Sequence, residues 1–429
     1  MDNNTLLDFD YPTETASIIK VIGVGGGGGN AVQHMYRAGI HDVAFVLCNT
    51  DNQALLKSDI PIKIQLGKNT TKGLGAGNKP WVAKEAAEES ADEVKALLDD
   101  GTEMVFITAG MGGGTGTGAA PVIAQIAKEK GILTVGIVTI PFVFEGERKI
   151  LQALYGVEEM SKNVDALLVI NNQRLFDIYQ NLALSEAFKK ADDTLTIAAK
   201  SIAETITIPG YINLDFADVE TIMKDGGVAI MSSGTASGAS RVSKAIENTL
   251  HSPLLNNNNI FNAKKILLNL SSSNKYSVGV EEMNEVHNFM AKFGKDIEVI
   301  WGAAYDDDLE ENMKITILAT GFGMESIPGI DESHRVKIQE LSLQQQEKER
   351  KEAELIKKYY GAEQVKKMGK KTRPKPFIFT LEQLDNDSVI DAVINHPAYN
   401  RKPDFLKKEG PSLNKSTSGE TAKNVIIFN

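Results

Sequence analysis

Three glycine-rich runs are placed where a backbone could hold phosphate. Gly23-Val-Gly-Gly-Gly-Gly-Gly-Asn30 lies between an apolar run and an amphipathic one, as does Gly110-Met-Gly-Gly-Gly-Thr-Gly-Thr-Gly118, and Gly73-Leu-Gly-Ala-Gly77 falls between the two. Glycine lets N–H groups come close to an anion, and the start of a following helix favours negative charge. The first run alone is ambiguous. Gly23, Gly25 and Gly28 also fit the G-x-G-x-x-G of a dinucleotide site, with Asp51 at the end of the second strand as the acidic ribose ligand. No run ends in Gly-Lys-Ser/Thr, so the usual phosphate-binding lysine is missing. A dinucleotide fold needs one glycine loop, whereas a triphosphate held without that lysine needs several. The second run, whose threonines add hydroxyl donors, therefore favours a triphosphate; the rival reading, a mere tight turn, weighs most for Gly73–Gly77.

A second constellation is Asn213-Leu-Asp-Phe-Ala-Asp218. Two carboxylates three residues apart, with an amide two residues before the first, could orient a water and accept its proton. As bare sequence, Asp215 and Asp218 also read as capping or surface residues. No His-rich or Cys-rich spacing suggests zinc.

These residues need a frame. Up to about Ile170, strand-like runs at Ile18–Val24, Val43–Cys48, Met104–Thr108, Leu133–Ile140 and Ala166–Ile170 alternate with helix-like stretches at Asn30–Ala38, Trp81–Leu98, Ala119–Lys130 and Lys149–Lys162. Buried strands alternating with helices predict an α/β fold, a Rossmann-like parallel sheet covered on both faces, with ligands at the carboxyl ends of its strands. Leu184–Thr207 reads as one long central helix ended by Pro209-Gly210. A mixed α/β region follows, with strands at Val228–Met231, Lys265–Leu270, Ile297–Trp301 and Lys314–Ala319 and helices at Ser240–Leu250 and Glu281–Phe293. The expected division is an N-terminal extension 1–17, a nucleotide-binding domain 18–183, a central helix 184–209, a C-terminal α/β domain 210–325, a charged linker 326–380 and a tail 381–429. The Asn213–Asp218 loop follows the long helix, so it is expected on the far side from the glycine loops. Phe188 and Asp192, inside that helix, read by themselves as a core aromatic and a solvated charge.

Composition narrows the class. With 429 residues, 42% apolar and 24% charged, the chain is ordinary globular material too long for one core. Its 46 basic against 57 acidic residues give a net charge of −11, which disfavours nucleic acid as a partner. The one cysteine, Cys48, sits in an apolar run and reads as a buried strand residue in a reducing compartment. The acidic start lacks the order of a signal peptide, and no stretch approaches the ~18 apolar residues of a membrane span. A cytoplasmic protein without membrane insertion is expected.

The run Gly110–Gly118 resembles the G-G-G-T-G-T/S-G signature of the tubulin/FtsZ GTPase family. The likeness is collinear from about Ile18 to Gly323, through Gly26–Asn30, Asn49-Thr-Asp51, Gly73–Gly77, Phe144-Glu-Gly146, Asn172 and Asn213–Asp218. The resemblance implies GTP binding and hydrolysis coupled to head-to-tail polymerisation into a division ring at mid-cell. Carried over by position, Gly26, Gly27, Gly28, Gly29, Asn30, Gly77, Gly114, Thr115 and Gly116 would hold phosphates and ribose, with Glu145 near the ribose and Asn172 also at the nucleotide. Phe188 would stack on guanine, and Asp192 would accept from its N1–H and 2-amino group, two adjacent donors that adenine lacks. Where the family carries an arginine after Phe-Glu-Gly, this chain has Lys149 with Arg148 beside it, and lysine lacks the arginine fork. Asn213, Asp215 and Asp218 would act on the nucleotide of the next subunit. Mg²⁺ is the expected counterion. Pro397-Ala-Tyr-Asn-Arg401 echoes the family's partner peptide, which would dock on membrane-tethering division proteins such as FtsA.

Overall fold

The computed structural model describes residues 17–40, 42–178, 183–208, 210–252, 260–294, 296–323 and 326–327. Most of the extension, nearly all of the charged linker and the whole tail, with Pro397–Arg401, lie outside the described residues.

The first half alternates strands β1 (Ile19–Val24), β2 (Val43–Asn49), β3 (Ile62–Gln65), β4 (Met104–Gly110), β5 (Leu133–Ile140) and β6 (Ala166–Asn171) with helices. Those helices are α1 (Gly25–Arg37), α2 (Asn52–Leu56), α3 (Pro80–Glu89), α4 (Ala91–Leu97), α5 (Thr115–Glu129), α6 (Glu147–Lys162) and α7 (Asn172–Ile178). The long α8 (Leu184–Thr207) leads to β7 (Gly210–Ile212), α9 (Phe216–Met223), β8 (Gly227–Ala236), α10 (Arg241–Leu250), β9 (Lys265–Ser272), α11 (Val280–Met290), β10 (Glu298–Tyr305) and β11 (Met313–Phe322).

The eleven strands among the described residues form one sheet in the order β3-β2-β1-β4-β5-β6-β8-β11-β9-β10-β7. The run from β3 to β6 is parallel, as its uninterrupted apolar strands require, since every residue of β1 and β5 is buried. The two halves are joined not only by α8 but by parallel pairing of β6 with β8, from Ala166 opposite Gly227 to Leu168 opposite Ala229. Beyond β8 the pairing turns antiparallel at β11, and β7 closes the far edge against β10.

Two apolar clusters cover the sheet. On one face, α5 lays down Ala119, Ala120, Ile123, Ala124 and Ala127, small residues that let the helix sit close. On the other, α1 and α8 pack Val32, Met35, Leu195, Ala198, Ala199 and Ile202 against strand residues such as Phe106, Val135 and Leu168. The buried positions of α8 recur every three or four residues, which turns one stripe of the helix to the sheet.

Several elements depart from the sequence expectation. The stretch read as one helix, Trp81–Leu98, is two helices meeting at Ser90, whose hydroxyl accepts from Gly67 N–H at 3.0 Å. Helix α1 starts at Gly25 rather than Asn30, so the glycine run is the first turn of the helix. The short elements β3, α2, α7, β7 and α9 were not expected. Cys48 is buried on β2, and burial pushes its thiol up to about 12, which keeps it unreactive. Among the described residues no helix is long and apolar enough to cross a membrane.

Candidate nucleotide site

The carboxyl end of β1 runs directly into a helix that opens with glycines, and that of β4 leads through residues 111–114 into α5. Gly25 opens α1 with φ +74°, and a Cβ there would lie 2.9 Å from Gly116 N at the start of α5. A Cβ on Gly28 would lie 2.2 Å from the carbonyl oxygen of Thr108, so α1 rests on β4 at a distance only glycine permits. Two helix N-termini are thereby brought side by side. No side chain caps either helix, and neither first turn contains a carboxylate. Each helix end leaves N–H groups over and bears partial positive charge, so two of them together repel unless an anion lies between. The glycines also divide by role. Gly23, Gly25, Gly28, Gly114 and Gly116 would clash with packed neighbours if given a Cβ, and Gly27 is tight against Gly110 at 3.1 Å. Gly26, Gly77 and Gly113 face open space, and Gly29 has only Leu47 within 3.7 Å. Asn30 is exposed on α1.

The third glycine loop joins the other two. Asn52 N–H donates to Gly73 O and Gly75 N–H to Thr50 O, both at 3.1 Å, fixing the loop against the end of β2. Thr50 and Thr115 hydroxyls meet at 2.7 Å, tying β2 to the start of α5. Asp51 caps α2 by accepting from Gln53 N–H at 2.9 Å, a structural task that accounts for an acidic residue there without a ribose.

A side wall comes from the end of β5. Glu145 accepts from Phe142 N–H at 3.0 Å and pairs with Lys149 at 3.2 Å, one turn into α6. One turn further, Gln152 donates to the carbonyls of Gly112 and Gly113 at 3.2 and 2.9 Å, binding α6 to the second glycine loop. Arg148 is exposed. Asn172, just beyond β6, is buried, and its Oδ1 has no hydrogen-bond partner among the described residues. A buried acceptor left unpaired is costly, and a ligand donor arriving there would remove the cost.

The base end is built on α8. Phe188 meets Phe142 edge-on with centroids 5.1 Å apart, yet remains 41% exposed, so one face of its ring stays available. Asp192 lies one turn along the same side of the helix. The neighbouring side chains turn elsewhere: His34 Nε2 lies 3.0 Å from the Asp193 carboxylate, and Lys190 pairs with it at 3.3 Å. Burial, and then the charge of Asp193, pushes the Asp192 carboxyl up to about 6. A half-buried carboxylate with no ion pair among the described residues fits a ligand that brings two N–H donors.

The other carboxylates are remote. Helix α8 has 24 residues, about 36 Å at 1.5 Å per residue, and the Asn213–Asp218 loop begins beyond its end. The chain past the loop reaches the amino ends of the strands: after α9, Gly227 N–H bonds Asp165 O just ahead of β6. Asp215 and Asp218 cap α9 reciprocally, each accepting from the other's N–H at 3.0 Å. Asn213 Oδ1 accepts from Gly210 N–H. Thus Gly26–Asn30, Gly77, Gly114–Gly116, Glu145, Lys149, Asn172, Phe188 and Asp192 belong to the carboxyl-end face of the sheet, whereas Asn213, Asp215 and Asp218 follow the far end of α8. Phe142 and Gln152 were missed in the sequence. Their signals were present, one residue ending a strand's carboxyl side and the other a helical turn after Lys149. Among the described residues no group of three or more His, Cys, Asp or Glu side chains could hold a metal ion.

Three family models match: the GTPase domain of the Tubulin/FtsZ family over residues 18–180, the C-terminal domain of the FtsZ family over 227–323, and a further FtsZ C-terminal model over 371–408. The chain is 53% identical over 410 residues to the cell division protein FtsZ of Porphyromonas gingivalis, covering 94% of this chain and 90% of that one. It is 45% identical over 323 residues to the cell division protein FtsZ of Wigglesworthia glossinidia brevipalpis, 74% of this chain and 83% of that one. Among solved structures, an empty FtsZ dimer from M. jannaschii aligns with a TM-score of 0.66 at 41% identity, covering 72% and 89% of the two chains. CetZ1 from Haloferax volcanii aligns with a TM-score of 0.64 at 20% identity, covering 76% and 99%, a likeness of fold.

Proposed function

The chain belongs to the FtsZ family of tubulin-like GTPases, and on that premise we propose that it binds GTP at the carboxyl ends of β1 and β4 and hydrolyses it only when a second copy supplies the Asn213–Asp218 loop. One observation carries this reading: the α8 helix, about 36 Å long, separates the cradle from the carboxylates within a single chain. Neither end alone holds both nucleotide and base.

The paired N-termini of α1 and α5, with Gly26–Asn30, Gly77 and Gly114–Gly116, take the phosphates. Lys149, already held at the cradle by Glu145, stands in for the family's arginine as a point charge, and Glu145 lies towards the ribose. Phe188 stacks on guanine, Asp192 accepts its two adjacent donors, and Asn172 Oδ1 accepts a further one. On the incoming copy, Asp215 and Asp218 each use one oxygen in the α9 cap. Their other oxygens accept from the attacking water, oriented with Asn213. Phosphoryl transfer asks mainly for positioning and charge neutralisation, which two preformed half-sites provide on meeting. Mg²⁺ would be carried chiefly by the phosphate oxygens, its usual mode of binding, and would neutralise their charge.

Stacking of copies in this manner is head-to-tail and open-ended, a filament by geometry. The family points to a cytoplasmic ring at mid-cell, with the tail near Pro397–Arg401, inside the 371–408 match, engaging a membrane-tethering protein such as FtsA. The test separates binding from turnover. Asp218→Asn keeps an oxygen for the α9 cap but removes the charge; GTP binding should persist while hydrolysis nearly disappears. Unchanged hydrolysis would remove the loop from the chemistry, and tight NAD binding without GTP binding would sink the whole reading.

A further inference from the structure

The cradle lacks the lysine that usually accompanies a glycine-rich phosphate loop, yet a lysine stands beside it that neither the motif nor the fold comparison assigns. Lys79 is the residue just before α3, on the exposed side of the third glycine loop. Its backbone packs directly on the second loop: a Cβ on Gly114 would lie 2.9 Å from Lys79 N, 3.0 Å from Ala76 Cβ and 3.2 Å from Asn78 Cα. Gly113, one residue earlier, faces open space. The lysine is held there by a chain of left-handed residues, with φ positive at Gly73, Gly75, Gly77 and Asn78, and by its own N–H bonded to Ala76 O at 3.1 Å. The four-carbon stem of lysine can therefore sweep across the mouth of the α5 N-terminus.

The state of its ammonium group is equally informative. Lys149, the other cation at the cradle, is tied to Glu145 at 3.2 Å. Lys79 has no carboxylate partner among the described residues; its Nζ rests 5.8 Å above the ring centre of the half-exposed Trp81. A cation–π contact at an exposed ring is weak, and a phosphate oxygen is a stronger partner for an ammonium group. Resting on the GTP reading above, the geometry points to Lys79 as the residue that senses the terminal phosphate, leaving Trp81 to pair with it when the triphosphate is bound and returning when only the diphosphate remains. The chain thus supplies from the third loop the charge that other phosphate loops carry in their own sequence.

The test measures GTP and GDP affinity of the full chain with Lys79→Met and Lys79→Arg, in a Trp301→Phe background that leaves Trp81 as the only indole. Lys79→Met should lower GTP affinity about tenfold with GDP affinity unchanged, and Lys79→Arg should restore most of it. Trp81 emission should change on adding GTP but not GDP, and the change should vanish in Lys79→Met. An unaltered ratio of GTP to GDP affinity, or an equal fall in both, overturns the role of Lys79 alone. Failure of the unsubstituted chain to bind GTP overturns the GTP reading along with it.

Discussion

The two ends of α8 differ in how completely their polar groups are satisfied. At the carboxyl-end face of the sheet, two helices start without side-chain caps, Asn172 Oδ1 is buried without a partner among the described residues, and Lys190 pairs with Asp193. At the opposite end, Asp215 and Asp218 satisfy each other's backbone, and Asn213 bonds Gly210. The first region is unfinished without a ligand. The second is a finished local structure whose two carboxylates each engage one oxygen in the cap. A site that binds a nucleotide must leave donors and acceptors open, whereas a loop that docks on another molecule must hold its shape alone.

The largest break in this contrast comes from the cradle's backbone. Gly28→Ala would drive a Cβ to within 2.2 Å of Thr108 O; we expect about 1–3 kcal/mol of destabilisation and loss of measurable GTP binding, checked by denaturation and nucleotide titration. Gly26→Ala is the sharpening control. With nothing within 4 Å of its Cβ position, stability should hold or rise by up to about 1 kcal/mol, while GTP affinity falls because the methyl group occupies the ligand's space. Equal effects at both positions would erase the division between packing and ligand-facing glycines.

At the other end, Asp218→Asn should cut turnover about a hundredfold or more with GTP affinity intact, measured by phosphate release under saturating GTP. Asp218→Ala should lose the same activity and also about 1 kcal/mol of stability, because the cap goes with the charge. A stability loss without an activity loss would make the loop structural only.

Asp192→Asn should weaken GTP binding about 10- to 100-fold, since one acceptor is replaced by a donor facing the guanine N–H groups. The smallest effect is on pH. The Asp192 carboxyl, raised to about 6 by burial, must be ionised to accept guanine's donors, so affinity should decline as pH falls below 6, approaching about tenfold per unit. Stability of the nucleotide-free protein runs the other way. A carboxyl raised on folding makes the native state bind more protons than the unfolded chain, so its contribution improves as pH falls from about 6 towards the ordinary carboxylate range. Asp192→Asn should flatten both profiles.

Much of the cradle was legible because its glycines follow apolar strands, a pairing with few other uses. The extent of the helices was less so. Glycine's low helix propensity put the start of α1 at Asn30, but the close approach of Gly28 to β4 makes helix the better solution five residues earlier. The break at Ser90 depends on a bond to Gly67, twenty-three residues away, and no local pattern reports it. Asp215-Phe-Ala-Asp218 had the spacing of a capping box and was read both as cap and as acid–base pair; its cap is visible in one chain, and the chemistry proposed for it needs two. Phe188 and Asp192 were opaque as residues, since their meaning depends on Phe142 from another element and on the pairing of Lys190 with Asp193.

The central claim, a site completed by a second copy, is tested most directly by GTP turnover per chain as protein concentration rises. A shared site predicts turnover near zero at low concentration and a rise above a threshold while GTP remains bound throughout. Constant turnover per chain across the whole range would contradict it, because each chain would then hold a complete site of its own.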